Sequence, residues 1–203
     1  MRRLFFGTSC SPKLAILTPI GSLFDPWSKL GQPSCGWWRA SRLGDILFVN
    51  SRQGSAVLDP ISALDPGSFI LYTGLAGSCC NAHKVGDVVE VSRAFSQGIA
   101  VSASCVDQSP FPMATIATVS CLAESYERRE EIARIAECVD METALVFLAA
   151  KRQGKHARSV QVVSDHLFDY PFYEIAKDSY ARGIDVLRDY VIEFARDYVT
   201  FDR

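Results

Sequence analysis

Apolar residues first gather in an unbroken run, Leu14-Ala15-Ile16-Leu17, closed by Thr18 and Pro19. A run with no polar alternation fits a strand covered on both faces. Shorter apolar stretches over 45–50, 68–72, 87–91, 114–121 and 160–164 predict five more strands. Asp59-Pro60 reads as a cap followed by proline in the first turn of a short helix. Over 125–137, Glu127, Arg128, Arg129, Glu130, Glu131 and Arg134 interleave with apolar residues at helical spacing, which predicts an amphipathic helix with a solvated charged face. A second helix is expected from Asp140 through Ala150, with Gly154 where a C-terminal cap belongs, and a long closing helix from Phe172 to Tyr198. The stretch 21–44 holds glycines, prolines, Trp27, Trp37 and Trp38 without periodicity, and predicts no element.

Strands alternating with helices predict an α/β fold around a largely buried sheet, with ligands beyond the carboxyl ends of the strands. At 203 residues, with no repeat, low-complexity tract or linker, 1–203 is expected to be a single domain. A net charge of −2 provides no field for nucleic acid or anionic lipid, which leaves a small molecule or another copy of the chain as the expected partner. No apolar stretch approaches the roughly 20 residues needed to span a bilayer, and Arg2-Arg3 precede too short an apolar run for a secretory leader. Seven scattered cysteines fit reduced thiols and a cytoplasmic location. Neither they nor His83, His156 and His166 have metal-ligand spacing, so no metal or cofactor is expected.

Three segments at strand or helix ends are candidates for chemistry. Thr73-Gly74-Leu75-Ala76-Gly77-Ser78, followed by Gly86-Asp87-Val88-Val89, lets backbone N–H groups approach a ligand, although glycines also mark plain turns. In Val139-Asp140-Met141-Glu142-Thr143, Glu142 is either an ordinary helix-start residue or an acceptor for a pair of sugar hydroxyls, with Met141 as a soft apolar surface. In Val162-Val163-Ser164-Asp165-His166, Asp165 either caps a turn or stands as a proton donor oriented by Ser164. Neighbouring side chains alternate along a strand, so His166 is expected to point elsewhere.

These motifs, in this order, resemble the nucleoside phosphorylase and nucleosidase superfamily, over roughly 14–165. The resemblance implies a three-layer α/β/α sandwich with a central mixed β-sheet, assembled as a dimer, trimer or hexamer. It implies cleavage of the N-glycosidic bond of a purine nucleoside. By motif position, Met141 packs on the ribose, Glu142 holds its hydroxyls, and Asp165, positioned by Ser164, protonates N7 of the leaving base. Gly74, Ala76 and Gly77 lie alongside the base and the nucleophile. Such an acid must be protonated when the base departs, which requires a raised pKa or proton uptake with substrate.

The nucleophile side departs from the pattern. Hexameric phosphorylases carry an arginine where Tyr72 stands, and Phe24-Asp25-Pro26 lacks the glycine and arginine of their early phosphate loop. Nucleosidases usually carry an arginine where Gln161 stands and a water-activating glutamate near Leu23, for which Asp25 is the nearest carboxylate. Without those arginines phosphate loses its strongest partners, so water is the expected nucleophile. Phosphorolysis and a degenerate relative that binds without turnover are the alternatives. Arg39, Arg42 or Arg52 would be substitute anion contacts, and Phe95, Phe111, Phe168 and Phe172 candidates to stack on a base.

Overall fold

In the computed structural model, residues 12–29, 32–34, 39–104, 109–122, 125–169 and 177–201 are described. The apolar run forms β1 (Leu14–Thr18), fully buried along its length. It pairs in parallel with β4 (Ile46–Asn50) on one side and β5 (Phe69–Ser78) on the other. Beyond β4 the sheet continues through β3 (Arg39–Leu43) to β2 (Gln32–Ser34), both antiparallel. β3 and β4 form a hairpin that turns at Gly44, whose φ of +57° suits glycine.

On its other side β5 pairs in parallel with β10 (His156–His166), and β10 pairs antiparallel with β6 (Val88–Ser96). β6 holds the short β7 (Ile99–Ser102) and pairs in parallel with β8 (Met113–Thr118). β8 then pairs with β9 (Cys138–Asp140), which returns to the end of β5 at Gly77 and Ser78. Strands β5, β10, β6, β8 and β9 therefore close into a small barrel at one side of a mixed sheet.

Helices cover both faces. α2 (Leu58–Ala63) and α4 (Thr143–Arg152) contribute Ile61, Val146, Phe147 and Ala150 to one apolar cluster, with Tyr72, Ala76 and Val163 from the strands. α1 (Gly21–Ser28) and α5 (Ala181–Phe201) contribute Leu23, Phe24, Trp27, Leu187 and Val191 to a second cluster against Leu71, Val160 and Val162. α3 (Tyr126–Ala133) lies beside a third cluster around Cys79, Ala117 and Leu167. The layers are helix, sheet, helix, as expected.

Several boundaries differ from expectation for identifiable reasons. β5 does not stop at Tyr72 but runs through the glycine segment to Ser78. β10 begins at His156, because its polar residues are paired: Arg158 forks onto the buried Glu90 at 2.6 and 2.7 Å. α3 starts where expected, behind an N-cap at Ser125 that accepts the Arg128 N–H at 3.2 Å, but ends at Ala133. Glu137 instead turns its carboxylate to Thr115, accepting from N at 2.8 Å and Oγ1 at 3.0 Å, and so fixes the start of β9. α2 follows a 3₁₀ turn at Gly54–Val57, so Asp59 lies inside its first turn rather than capping it. The closing helix is described from Lys177, as a 3₁₀ turn leading into α5.

Candidate active site

Pairing brings the carboxyl ends of β5 and β10 together beside β9, which runs antiparallel to β5. Gly77 is in register with Val139 on one side and Asp165 on the other. β10 bulges between Val163 and Asp165, which makes Ser164 the extra residue and re-aims the carboxyl that follows. A Cβ on Gly77 would stand 3.0 Å from Asp165 Oδ2 and 3.2 Å from Val139 Cγ1, so the missing side chain is what seats the carboxyl there.

Asp165 is 6% exposed. Ser164 Oγ donates to its Oδ1 at 2.5 Å and lies 3.4 Å from the Ala76 carbonyl oxygen. Burial raises the Asp165 pKa above its ordinary value, opposed by the Ser164 bond and by the neighbouring His166 and Arg129. His166 makes no hydrogen bond to Asp165: its Nδ1 is 3.7 Å from Asp169, and its ring lies 6.3 Å from Phe168. Ser164, Asp165, Ala76 and Gly77 thus form one contact group.

Met141 and Glu142 enter from the end of β9, Met141 half-buried and Glu142 only 5% exposed. Glu142 occupies the N-cap position of α4 but makes no side-chain cap bond. Its Oε1 accepts the Gly54 N–H at 2.6 Å and its Oε2 accepts the Tyr72 hydroxyl at 3.1 Å. Capping falls to Asp140, whose Oδ2 accepts the Thr143 N–H at 2.9 Å, the Thr143 hydroxyl and Gln161 Nε2 at 3.2 Å. Its Oδ1 accepts Thr118 Oγ1 at 2.6 Å. Burial pushes Asp140 up to about 6 although these bonds favour its charge, and burial together with the Glu142 and Asp140 charges raises Tyr72 well above the ordinary phenol range.

Side chains alternate along β5, so Tyr72, Gly74 and Ala76 share one face while Gly77 points to the other. The Tyr72–Glu142 pair stands over Gly74 and the Asp165 carboxyl over Gly77, about 10 Å apart along the strand by its rise per residue. Met141 lies in the link between β9 and α4, next to Glu142. Asp140 reads as a plain helix start, and nothing local to Gly54 indicates a partner 88 residues away. Gln161 departs from the resembled pattern on the nucleophile side, but nothing in the sequence points to Asp140 and Thr143 as its partners.

The remaining candidates fall elsewhere. Asp25 is bound by Arg39 at 2.5 Å on the exposed surface, and that guanidinium lies 5.2 Å from the Phe24 ring centroid. Arg42 Nε donates to the Gly44 carbonyl at 2.8 Å, and Arg52 is exposed beyond β4. Phe95 packs in the third cluster, and Phe111 meets Tyr190 edge-on at 5.0 Å. Phe168 meets Tyr126 edge-on at 5.8 Å and lines an open cleft of about 250 Å³ with Glu130, Ala133 and Arg134. Phe172 lies outside the described residues. Burial pushes the Cys79 thiol up to about 12 and raises Cys138 as well, so neither is a thiolate nucleophile at neutral pH. Among the described residues no group of His, Cys, Asp and Glu side chains is arranged to hold a metal ion, and no helix is long and apolar enough to cross a membrane.

No protein-family model and no curated protein sequence matches the chain. Solved structures do. The chain is similar to the 5′-methylthioadenosine/S-adenosylhomocysteine nucleosidase of Campylobacter jejuni, with a TM-score of 0.75 at 14% identity over 92% of this chain and 99% of that one. A futalosine hydrolase mutant of Helicobacter pylori matches with a TM-score of 0.72 at 14% identity, over 92% and 99%. The Helicobacter pylori 5′-methylthioadenosine/S-adenosylhomocysteine nucleosidase matches with a TM-score of 0.73 at 16% identity, over 91% and 100%, in complex with an aminopyrrolopyrimidine joined to a thioether-bearing hydroxypyrrolidine. With identities this low, the likeness is one of fold. The chain therefore carries the mixed α/β fold of these solved structures.

Proposed function

We propose that the chain hydrolyses the N-glycosidic bond of a purine nucleoside. The observation that carries this reading is the Ser164–Asp165 pair seated on Gly77: a buried carboxyl with a raised pKa, held by one hydroxyl, at the end of a sheet strand. Departure of a purine leaves positive charge on the sugar and negative charge on the base, so a proton placed on the base lowers the barrier. Asp165 donates that proton, and Ser164 fixes the oxygen that carries it.

Glu142 holds the ribose hydroxyls. Each of its oxygens accepts one bond, from Gly54 and from Tyr72, and a carboxylate has lone pairs for further donors. Met141 covers the sugar face, and Gly74, Ala76 and Gly77 let substrate approach the backbone of β5. The aminopyrrolopyrimidine bound by the Helicobacter pylori nucleosidase supports a purine-like base as the leaving group. A homo-oligomer in the cytoplasm is the expected setting.

Incubation with adenosine, inosine and 5′-methylthioadenosine, with and without phosphate, tests the reading. Free base and free sugar made without phosphate support it. Sugar 1-phosphate formed only with phosphate would replace it with phosphorolysis. Binding without turnover would favour a degenerate relative, a reading the occupied oxygens of Glu142 also fit.

A further inference from the structure

Glu142 stands at the head of α4, where unpaired backbone N–H groups and the helix dipole attract a carboxylate, yet its side chain caps nothing and reaches across to Gly54 and Tyr72. Thr118, at the end of β8, accounts for this. In the parallel pairing of β8 with β9 it stands opposite Asp140. Its hydroxyl oxygen accepts the Ala144 N–H at 2.9 Å, and its hydroxyl hydrogen goes to Asp140 Oδ1 at 2.6 Å. Asp140 Oδ2 accepts the Thr143 N–H at 2.9 Å. The first two N–H groups of α4 are thus held by side chains of the neighbouring strands, and Thr118, Asp140, Thr143 and Ala144 are all buried.

Asp140 is fixed through both oxygens. Its Oδ2 also accepts the Thr143 hydroxyl and Gln161 Nε2 at 3.2 Å, so three donors hold one oxygen and Thr118 holds the other. An N-cap side chain ordinarily takes the N–H two or three residues on, and the first of these here is that of Ala144. With Ala144 already bound, the Glu142 carboxylate gains little by folding back, and its oxygens accept the Gly54 N–H at 2.6 Å and the Tyr72 hydroxyl at 3.1 Å instead. Without the Thr118 hydroxyl, Ala144 would hold a buried N–H with no acceptor, which is costly, and the carboxylate of its own N-cap residue would be in place to take it.

We propose that Thr118 is a positioning residue: by occupying the Ala144 N–H and anchoring Asp140 it keeps Glu142 off its own helix and turned to the ribose hydroxyls, and so sets how strongly the site prefers a riboside to a nucleoside without 2′ and 3′ hydroxyls. This rests on the reading of Glu142 as the group that holds those hydroxyls. Thr118 acts through Ala144 and Asp140 rather than on the substrate.

The test compares wild type with Thr118→Val, which removes the hydroxyl and keeps the shape, and with Thr118→Ser, which keeps the hydroxyl. One readout is the ratio of kcat/KM for adenosine to that for 2′,3′-dideoxyadenosine. The other needs no turnover: amide hydrogen exchange at Gly54, whose N–H is held by Glu142 Oε1, taken relative to Ser51, whose N–H is held by the Thr18 carbonyl at 2.8 Å. Thr118→Val is expected to lower the ratio about tenfold, through the riboside alone, and to speed exchange at Gly54 about tenfold relative to Ser51. Thr118→Ser should keep both within about threefold of wild type. Asp140→Asn weakens the same anchor from the other side; it should move both readouts as Thr118→Val does, and decides the matter if that variant does not fold. An unchanged ratio, equal losses for both nucleosides, exchange at Gly54 that only keeps pace with Ser51, or a serine variant as impaired as the valine one would overturn the role of Thr118. A wild-type chain that cleaves neither nucleoside overturns the hydrolase reading instead, and the exchange readout still decides whether Thr118 holds Glu142 in place.

Discussion

Gly77→Ala probes whether Asp165 acts from the position it occupies. The new Cβ would stand 3.0 Å from Asp165 Oδ2 and 3.2 Å from Val139 Cγ1, against an ordinary contact of 3.4 Å or more, so both neighbours must yield by a few tenths of an ångström. Gly77 has no left-handed φ, so alanine itself is unstrained there, and its lower chain entropy offsets part of the overpacking cost of about 1–3 kcal/mol. Stability should fall by no more than about 2 kcal/mol in a denaturant titration. A displacement of about 1 Å costs roughly 100-fold in rate, so a shift of a few tenths should cost about tenfold in kcat, or about 1.4 kcal/mol, with KM little changed. The assay is release of free base from 5′-methylthioadenosine. In an Asp165→Asn background the substitution should cost almost nothing more, since the group it displaces no longer works. Gly21→Ala is the control, because no atom lies within 4 Å of its Cβ position. Full kcat in Gly77→Ala, or an equal loss in the Asp165→Asn background, would refute the idea that the carboxyl seated on Gly77 is the proton donor.

Three other outcomes are expected. Asp140 has its folded pKa raised from 3.8 to about 6, so the folded state binds more protons than the unfolded chain between those values; stability should fall on the order of 3 kcal/mol as pH rises from about 4 to 6, and Asp140→Asn should lose that slope in denaturant titrations at each pH. Glu142→Gln should lower kcat/KM for ribosides while leaving 2′,3′-dideoxyribosides unaffected; a change in thermal stability alone would make Glu142 structural. Arg52 has a φ of +57°, so Arg52→Gly should stabilise by about 0.5–1 kcal/mol and raise Tm by about 1–4 °C in calorimetry.

The elements that were legible carry their own signal. Leu14 to Leu17 is a sequence of buried positions with nothing polar to confuse it, and Ser125 caps α3 through its own hydroxyl. What could not be read depends on partners distant in sequence. Gly74 and Gly77 look like turn residues, but they are strand residues whose missing side chains make room for Gln161, Tyr72 and Asp165. Arg158, Ser159 and Gln161 disguise the first half of β10 until Glu90, Asp140 and Thr143 are known to satisfy them. β9 has three residues, too few for any periodicity, and α1 holds Pro26 and lacks a side-chain cap. At the site, the Ser164–Asp165 pair could be read because it is local. The turn of Glu142 toward Gly54 and Tyr72 could not, because it joins residues from three separate parts of the chain.

The most direct measurement is the rate of base release from adenosine and 5′-methylthioadenosine by wild type and by Asp165→Asn, without phosphate, from about pH 5 to pH 9. Wild type should release base and free sugar, with a rate that falls as rising pH deprotonates a carboxyl whose pKa burial has raised. Asp165→Asn, which still accepts the Ser164 hydroxyl, should be roughly 10²–10⁴-fold slower and lose that pH limb. A variant as fast as wild type, or a wild-type chain that leaves both nucleosides intact, would contradict the account.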